Sequence, residues 1–302
     1  MSGALTVVAG RSSKRAKLGR GILAAAQYAW LVGVCLVVLV PIAWMVVASL
    51  SRGKLLAGVP LLPKFSDFTL EHYEYLFNYR SSSNAAFPDF VAAFLRSLAV
   101  AVLNTGTVVL LTTMTGYVFS RFRFKGKKPI LISFLLLQMF PSFMGIIALF
   151  MIFRTFGWLN KPLYLVFVYA AGAIPYNTYL IRGYLRSIPK SIDEAATIDG
   201  ASKTATFFKI VLPLSKPIIG FLAVNAFMAP WMDYMLPFQI LNMQNQTVAI
   251  FLYRLTDPLI TLYYNPLNFM AGALVIATPI TLVQFYMQRF IVYGMAAGAD
   301  KG

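Results

Sequence analysis

An all-α integral membrane protein with six transmembrane helices is the fold class this sequence predicts, and three observations carry it. Of its 302 residues, 59% are hydrophobic and 12% charged, against roughly 45–50% and about 25% in soluble domains; the mean hydropathy is +0.71. Five stretches, 21–51, 97–120, 129–153, 162–181 and 258–288, hold no Asp, Glu, Lys or Arg, and a sixth near 215–237 contains Asp233. A helix needs about 20 mostly apolar residues to cross a roughly 30 Å hydrocarbon core. The runs are apolar on all sides, whereas barrel strands alternate polarity over roughly 10 residues. Helices are therefore expected near 22–50, 95–119, 130–153, 163–181, 215–237 and 268–291.

The first run follows Arg11, Lys14, Arg15, Lys17 and Arg20, but it far exceeds the roughly 7–15 apolar residues of a cleaved signal peptide, so a retained helix is expected. Orientation follows from the basic loops, which resist translocation. Of 26 Lys and Arg, 18 fall in segments 1–21, 120–129, 182–216 and 289–302, and 7 in 51–94, 154–162 and 238–267, with Arg96 at a helix start. Both termini are thus expected in the cytoplasm. Most of the net charge of +16 is then a topology signal in a lipid bilayer, and a nucleic-acid partner is unnecessary. One cysteine, Cys35, and one histidine, His72, allow neither a disulfide framework nor a cysteine or histidine cluster, so no metal site is expected.

Two loops exceed the roughly 2–8 residues usual between packed helices. The outer one, 51–94, holds Pro60, Pro63, Pro88, a Ser81-Ser82-Ser83-Asn84 run and the aromatic stretch His72 to Phe77. A short surface helix with a flexible tip is expected there, with contact to an external partner or substrate as the alternative.

The inner loop, 182–216, is explicitly punctuated. Ser191 with Glu194 has the spacing of a capping box, which starts a helix. Ile192, Ala195, Ala196 and Asp199 then share one face. Asp199-Gly200 stops this helix, since glycine readily takes the left-handed C-terminal conformation. Ser202 can cap a second short helix through about Ile210, and Leu212-Pro213 and Lys216-Pro217 lead into the next span.

At these residues the sequence resembles a known family. Glu194-Ala195-Ala196, Gly200, Ile210 and Leu212-Pro213 reproduce the EAA loop of permease subunits of ABC importers. Gly116-Tyr117 with Arg121 to Gly126, Phe140-Pro141-Ser142, Ile174-Pro175-Tyr176, Arg186-Ser187-Ile188-Pro189 and the terminal Gly298-Ala299-Asp300-Lys301-Gly302 are similar to its carbohydrate branch, of the maltose-permease type. The resemblance covers about 90–302. It divides the chain into a basic cytoplasmic N-terminus (1–21), a first helix with its external loop (22–89), a permease transmembrane domain (90–291) and a cytoplasmic tail (292–302).

The resemblance implies the type I ABC importer permease fold in a bacterial-type cytoplasmic membrane. It implies a second homologous permease, two cytoplasmic ATPase subunits that use ATP and Mg, and an extracytoplasmic sugar-binding protein, with no cofactor on this chain. Glu194, Ala195, Ala196, Asp199, Gly200, Ile210, Leu212 and Pro213 would couple to the ATPase. The tail would reach towards the ATPase too, although Asp300 stands where a small apolar residue is expected. Trp231-Met232-Asp233-Tyr234 with Pro237 resembles permeases for malto-oligosaccharides, so Trp231, Asp233 and Tyr234 are candidates for the translocation path.

Asp233 lies 16 residues after Pro217, about 24 Å along a helix, hence near the outer boundary. A carboxylate there is either functional or merely hydrated or paired. Pro175, Pro230, Pro237 and Pro279 interrupt spans, which suits a moving pathway and also ordinary packing. No phosphate-cradling G-x-x-x-x-G-K-S/T loop is present; Ser202-Lys203-Thr204 lacks both glycines. Ser187-Ile188-Pro189-Lys190 fits S-x-x-K without supporting motifs. His72 has no nucleophile partner and is expected at the surface. The chain therefore reads as a non-enzymatic permease for a sugar, an oligosaccharide such as maltose or maltodextrin. A secondary transporter driven by an ion gradient is the alternative, although it would usually need more embedded acids or a repeated half; a membrane scaffold would leave the EAA loop unexplained.

Overall fold

In a bilayer every backbone polar group must be bonded within its helix or by a neighbour, so breaks persist only where other groups satisfy the freed atoms. The computed structural model describes residues 3–53, 55, 56, 59, 67–259 and 264–299, and the side chains of those from 21 to 288 except Ser142. Pro60 and Pro63 of the outer loop and Asp300, Lys301 and Gly302 of the tail lie outside the described residues.

The helices are α1 (Gly3–Leu50), α2 (Glu71–Asn78), α3 (Asp89–Arg121), α4 (Lys127–Leu137), α5 (Ile146–Thr155), α6 (Leu165–Ser187), α7 (Ser191–Ile198), α8 (Lys203–Thr206), α9 (Leu212–Leu214), α10 (Lys216–Met232), α11 (Met235–Ile240), α12 (Val248–Thr256) and α13 (Pro266–Ala299). Among the described residues, Gly21–Leu50, Asp89–Arg121, Pro162–Ser187 and Pro266–Gln288 are each long and apolar enough to span, and Lys203–Leu214 with Lys216–Met232 forms a fifth candidate bent by 78°.

Three boundaries differ from the sequence expectation. Helical backbone begins at Gly3, so the basic N-terminal segment continues the first span. The run 130–153 is not one helix: α4 stops at Leu137, Pro141 takes an extended conformation (φ −61°, ψ 122°), and a 3-10 turn over Ser142–Gly145 leads into α5. Proline supplies no N–H and disfavours helix in the residue before it, which explains the break. The run 215–237 ends as a helix at Met232 and resumes only at Met235.

Helix α3 is the central post. Phe90, Ala93, Ser97, Val100, Ala101, Asn104, Val108 and Thr112 are buried at helical spacing, while Val102, Leu103, Leu110 and Leu111 are exposed. That stripe packs on α6 and α10. Gly116 sets how closely α6 approaches, because a Cβ there would overlap the Ile181 side chain. Asn104 Nδ2 donates to the Ala226 carbonyl at 2.7 Å. Pro230, four residues later in α10, cannot bond that carbonyl, so α3 satisfies the group that the proline frees.

Helix α2 forms over the aromatic stretch as expected, but His72 is 1% exposed rather than a surface residue. Its Nε2 lies 2.8 Å from the Ser51 carbonyl and its Nδ1 2.7 Å from Asn268 Oδ1, tying α2 to the end of α1 and the start of α13. Polar atoms on neighbouring elements compensate its burial, which sequence spacing cannot reveal.

Candidate functional site

The loop 182–216 folds as a helix, a sharp turn and a second short helix. Its first helix does not begin as the capping box requires. A side-chain cap needs an extended residue at the helix start, whereas Lys190, ahead of Ser191, is already helical (φ −68°, ψ −23°) and no side chain caps α7. Ser191 is therefore the first helical residue, and Glu194 has its amide bonded to the Lys190 carbonyl at 3.0 Å with its side chain left outside.

The end of α7 does follow the sequence. Gly200 has φ +78°; its amide donates to the Thr197 carbonyl at 3.1 Å and the Ala201 amide to the Ala196 carbonyl at 2.9 Å. This pair of bonds is a Schellman motif, satisfying carbonyls left over at the helix end. Ser202 then caps α8, its Oγ accepting from the Ala205 amide at 3.2 Å. The second helix widens into a π-type turn over Phe207–Val211, containing Ile210, and closes with the α9 turn, Leu212–Leu214.

Of the face Ile192, Ala195, Ala196 and Asp199, only Ala196 is buried; Ile192 is half-buried, and Ala195 and Asp199 are exposed with Glu194 and Gly200. Ile198 is 86% exposed, a large apolar side chain at the turn that sequence reasoning did not single out. Behind α7, Phe207, Val211 and half-buried Leu212 join Tyr117, Ile181, Leu185 and Leu222 in a cluster that roots the loop on α3, α6 and α10. Pro213 is exposed. The loop thus offers Glu194, Ala195 and Ile198 outward from a rigid base.

Arg121 and Asp193 hold that base and were also missed. Arg121 Nε lies 3.0 Å from Asp193 Oδ2, with the two side chains 8% and 14% exposed, and Arg121 Nη2 donates to the Ile188 carbonyl at 3.1 Å. The last residue of α3 thereby fixes both the entry to α7 and its first turn. Beside them lies a cavity of about 420 Å³ bounded by Tyr117, Arg121, Asp193, Thr197 and Ile198. The sequence signal available was the Asp193 carboxylate in the first turn and the Arg121 cation just past a span; their separation of 72 residues concealed the pair.

The candidate path residues are not brought together. Trp231 is 7% exposed and packs against Phe94, ring centroids 5.3 Å apart, and against Phe227; it belongs to the buried cluster around Phe90 and Phe251. Asp233 forms the break between α10 and α11. Its Oδ1 accepts from the Met235 and Leu236 amides at 3.0 and 3.3 Å, and its Oδ2 accepts from the Tyr169 hydroxyl at 3.0 Å. The carboxylate starts α11 and pins it to α6. It also lines, with Tyr169, Phe143 and Ile146, a cavity of about 330 Å³. Tyr234 is exposed and stacks on Tyr253 at 5.0 Å. Among the described residues no group of three His, Cys, Asp or Glu side chains is placed to hold a metal ion.

The family model for binding-protein-dependent transport system inner membrane components matches residues 108–296. The galactooligosaccharides transport system permease protein of Bacillus subtilis is 37% identical over 287 residues, covering 95% of this chain and 98% of that protein. The maltodextrin transport system permease proteins of Bacillus subtilis and Streptococcus pneumoniae are 37% and 31% identical, covering 78% and 95% of this chain and 81% and 98% of their own lengths. In fold, the chain is similar to one in the crystal structure of a bacterial ABC transporter involved in the import of the acidic polysaccharide alginate, with a TM-score of 0.72, 20% identity, and coverage of 89% of this chain and 96% of that one.

Proposed function

The chain belongs to the family of binding-protein-dependent transport system inner membrane components, and from that premise we propose that it carries oligosaccharides of neutral hexoses through the membrane. It is a multi-pass permease subunit of an ABC importer, with the all-α type I importer fold. The near end-to-end similarity to a galactooligosaccharide permease, at 37% identity, carries the substrate reading, and the two maltodextrin permeases keep glucose oligomers within it. The same family membership favours ATP over an ion gradient as the energy source.

In this reading the chain performs no chemistry itself. A second, related permease completes the pathway, two ATPase subunits hydrolyse ATP with Mg, and an external binding protein delivers the sugar. Both termini and the loop 182–216 face the cytoplasm, in keeping with the distribution of Lys and Arg. The α7 helix enters a cleft of the ATPase through Glu194, Ala195 and Ile198, which are among its outward side chains. At the other end, Asp233 and Tyr169 face the path: a carboxylate accepts hydroxyl hydrogen bonds and an aromatic face suits a sugar ring.

A panel of labelled sugars tests the substrate. Cells with and without the gene should differ in uptake of galacto-oligosaccharides or maltodextrins and not of amino acids or peptides. Loss confined to amino acids or peptides would overturn the reading.

A further inference from the structure

Between the start of α4 and the last turns of α6 lies an open cleft of about 610 Å³, whose charged lining is Lys127, Lys128, Arg182 and Arg186, with no carboxylate among its walls. Among the described residues none of the four is ion-paired. Lys127 Nζ donates to the Phe122 carbonyl at 2.9 Å, and Arg182 rests against the Tyr179 ring with its Nε sealed from solvent and without a hydrogen-bond partner. Like charges gathered this way repel. Burial first, and then Arg182, Arg186, Lys190 and Arg123, hold the Lys127 ammonium below the ordinary lysine pKa, so the neighbouring like charges add to the cost of burying it.

The other wall is apolar. Leu131, Ile132 and Leu135 line it, and the exposed Ile132 and Leu135 continue along α4 into the apolar part of that helix. Phosphate alone would answer the cations and leave this wall uncovered; a phospholipid answers both. We infer that the cleft binds an anionic phospholipid of the leaflet on the coupling-loop side, its phosphate among the four cations and its acyl chains along Leu131, Ile132 and Leu135. Basic pockets at the cytoplasmic ends of helices are suited to such headgroups, each cation adding to the attraction.

The test uses the assembled transporter in nanodiscs made from equal parts phosphatidylglycerol and phosphatidylcholine, with retained lipid read by native mass spectrometry. The wild-type chain should retain phosphatidylglycerol preferentially. Lys127→Gln with Arg182→Gln should lower that preference roughly tenfold or more, whereas Lys127→Arg with Arg182→Lys, which keeps both charges, should retain it. Lys161→Gln, outside the cleft, should leave it unchanged. Unaltered preference in the glutamine variant would overturn the site. So would displacement of the lipid by glycerol 3-phosphate or inorganic phosphate, which would make it a free-anion site. Cross-linking from Ile132→Cys to a partner subunit, in a Cys35→Ser background, would show that protein covers the cleft instead, and would leave the permease reading intact.

Discussion

Gly200 carries the turn of the loop 182–216 through its backbone. A Cβ there would meet nothing within 4 Å, so the penalty of substitution is the positive φ of +78°, about 1–2 kcal/mol for an ordinary residue and more for a β-branched one. Gly200→Val should insert into the membrane normally yet weaken the Schellman bonds and tilt α7, reducing co-purification of the ATPase several-fold at matched expression. Glu194→Ala should leave α7 itself intact, because the glutamate caps nothing, and any loss of ATPase docking then reports a direct contact. Asp233 separates structure from transport in a similar way. Asp233→Asn preserves an acceptor for the Met235 and Leu236 amides and places an Nδ2 donor opposite the Tyr169 oxygen, which can accept from it, whereas Asp233→Ala loses all of these bonds at a cost of about 1–2 kcal/mol. If the carboxylate charge touches substrate, Asp233→Asn should accumulate normally and still raise the half-saturating sugar concentration in uptake assays. Gly200 and Ser202 were legible as local signals because their bonds run to residues within five positions. The Ser191 cap failed because Lys190 is already helical, and the burial of Trp231 was not legible because it depends on Phe94, far away in sequence.

The helices move as units only if something ties them, and the Arg121–Asp193 pair ties α3 to α7. A partly buried pair falls between the roughly 0–1 kcal/mol of an exposed bridge and the roughly 3–5 kcal/mol lost on breaking a buried one. Arg121→Gln or Asp193→Asn alone should therefore cost about 1–3 kcal/mol and lower uptake more than ATPase docking. The exchange Arg121→Asp with Asp193→Arg should recover part of the loss, measured as a double-mutant cycle on uptake. Additive losses would show that the pair does not connect the span to the loop. Four of the six expected spans, Gly21–Leu50, Asp89–Arg121, Pro162–Ser187 and Pro266–Gln288 among the described residues, were legible from charge-free length. The break in 130–153 could have been read from Pro141, but the apolar composition either side of it spoke for one continuous helix. The 78° bend between α9 and α10 has no counterpart in hydropathy at all, since both arms are apolar.

Across the whole molecule, lipid as solvent explains why the permease class was legible while its inner contacts were not. The outward faces of α1 and α4 are as apolar as a core, so composition identifies membrane helices without saying which face meets protein. Buried polar contacts such as Asn104 with Ala226 and His72 with Ser51 and Asn268 join residues about 20 to 200 positions apart and leave no periodic trace. In the proposed function this chain is a conduit whose energy arrives through one loop. The decisive measurement uses proteoliposomes that contain the chain with a partner permease, ATPase subunits and a binding protein. Uptake of labelled oligosaccharide should require ATP, persist when an uncoupler collapses the proton gradient, and fall with Gly200→Val in proportion to the ATPase lost from the complex. Uptake that survives removal of ATP and stops with the uncoupler would contradict that function.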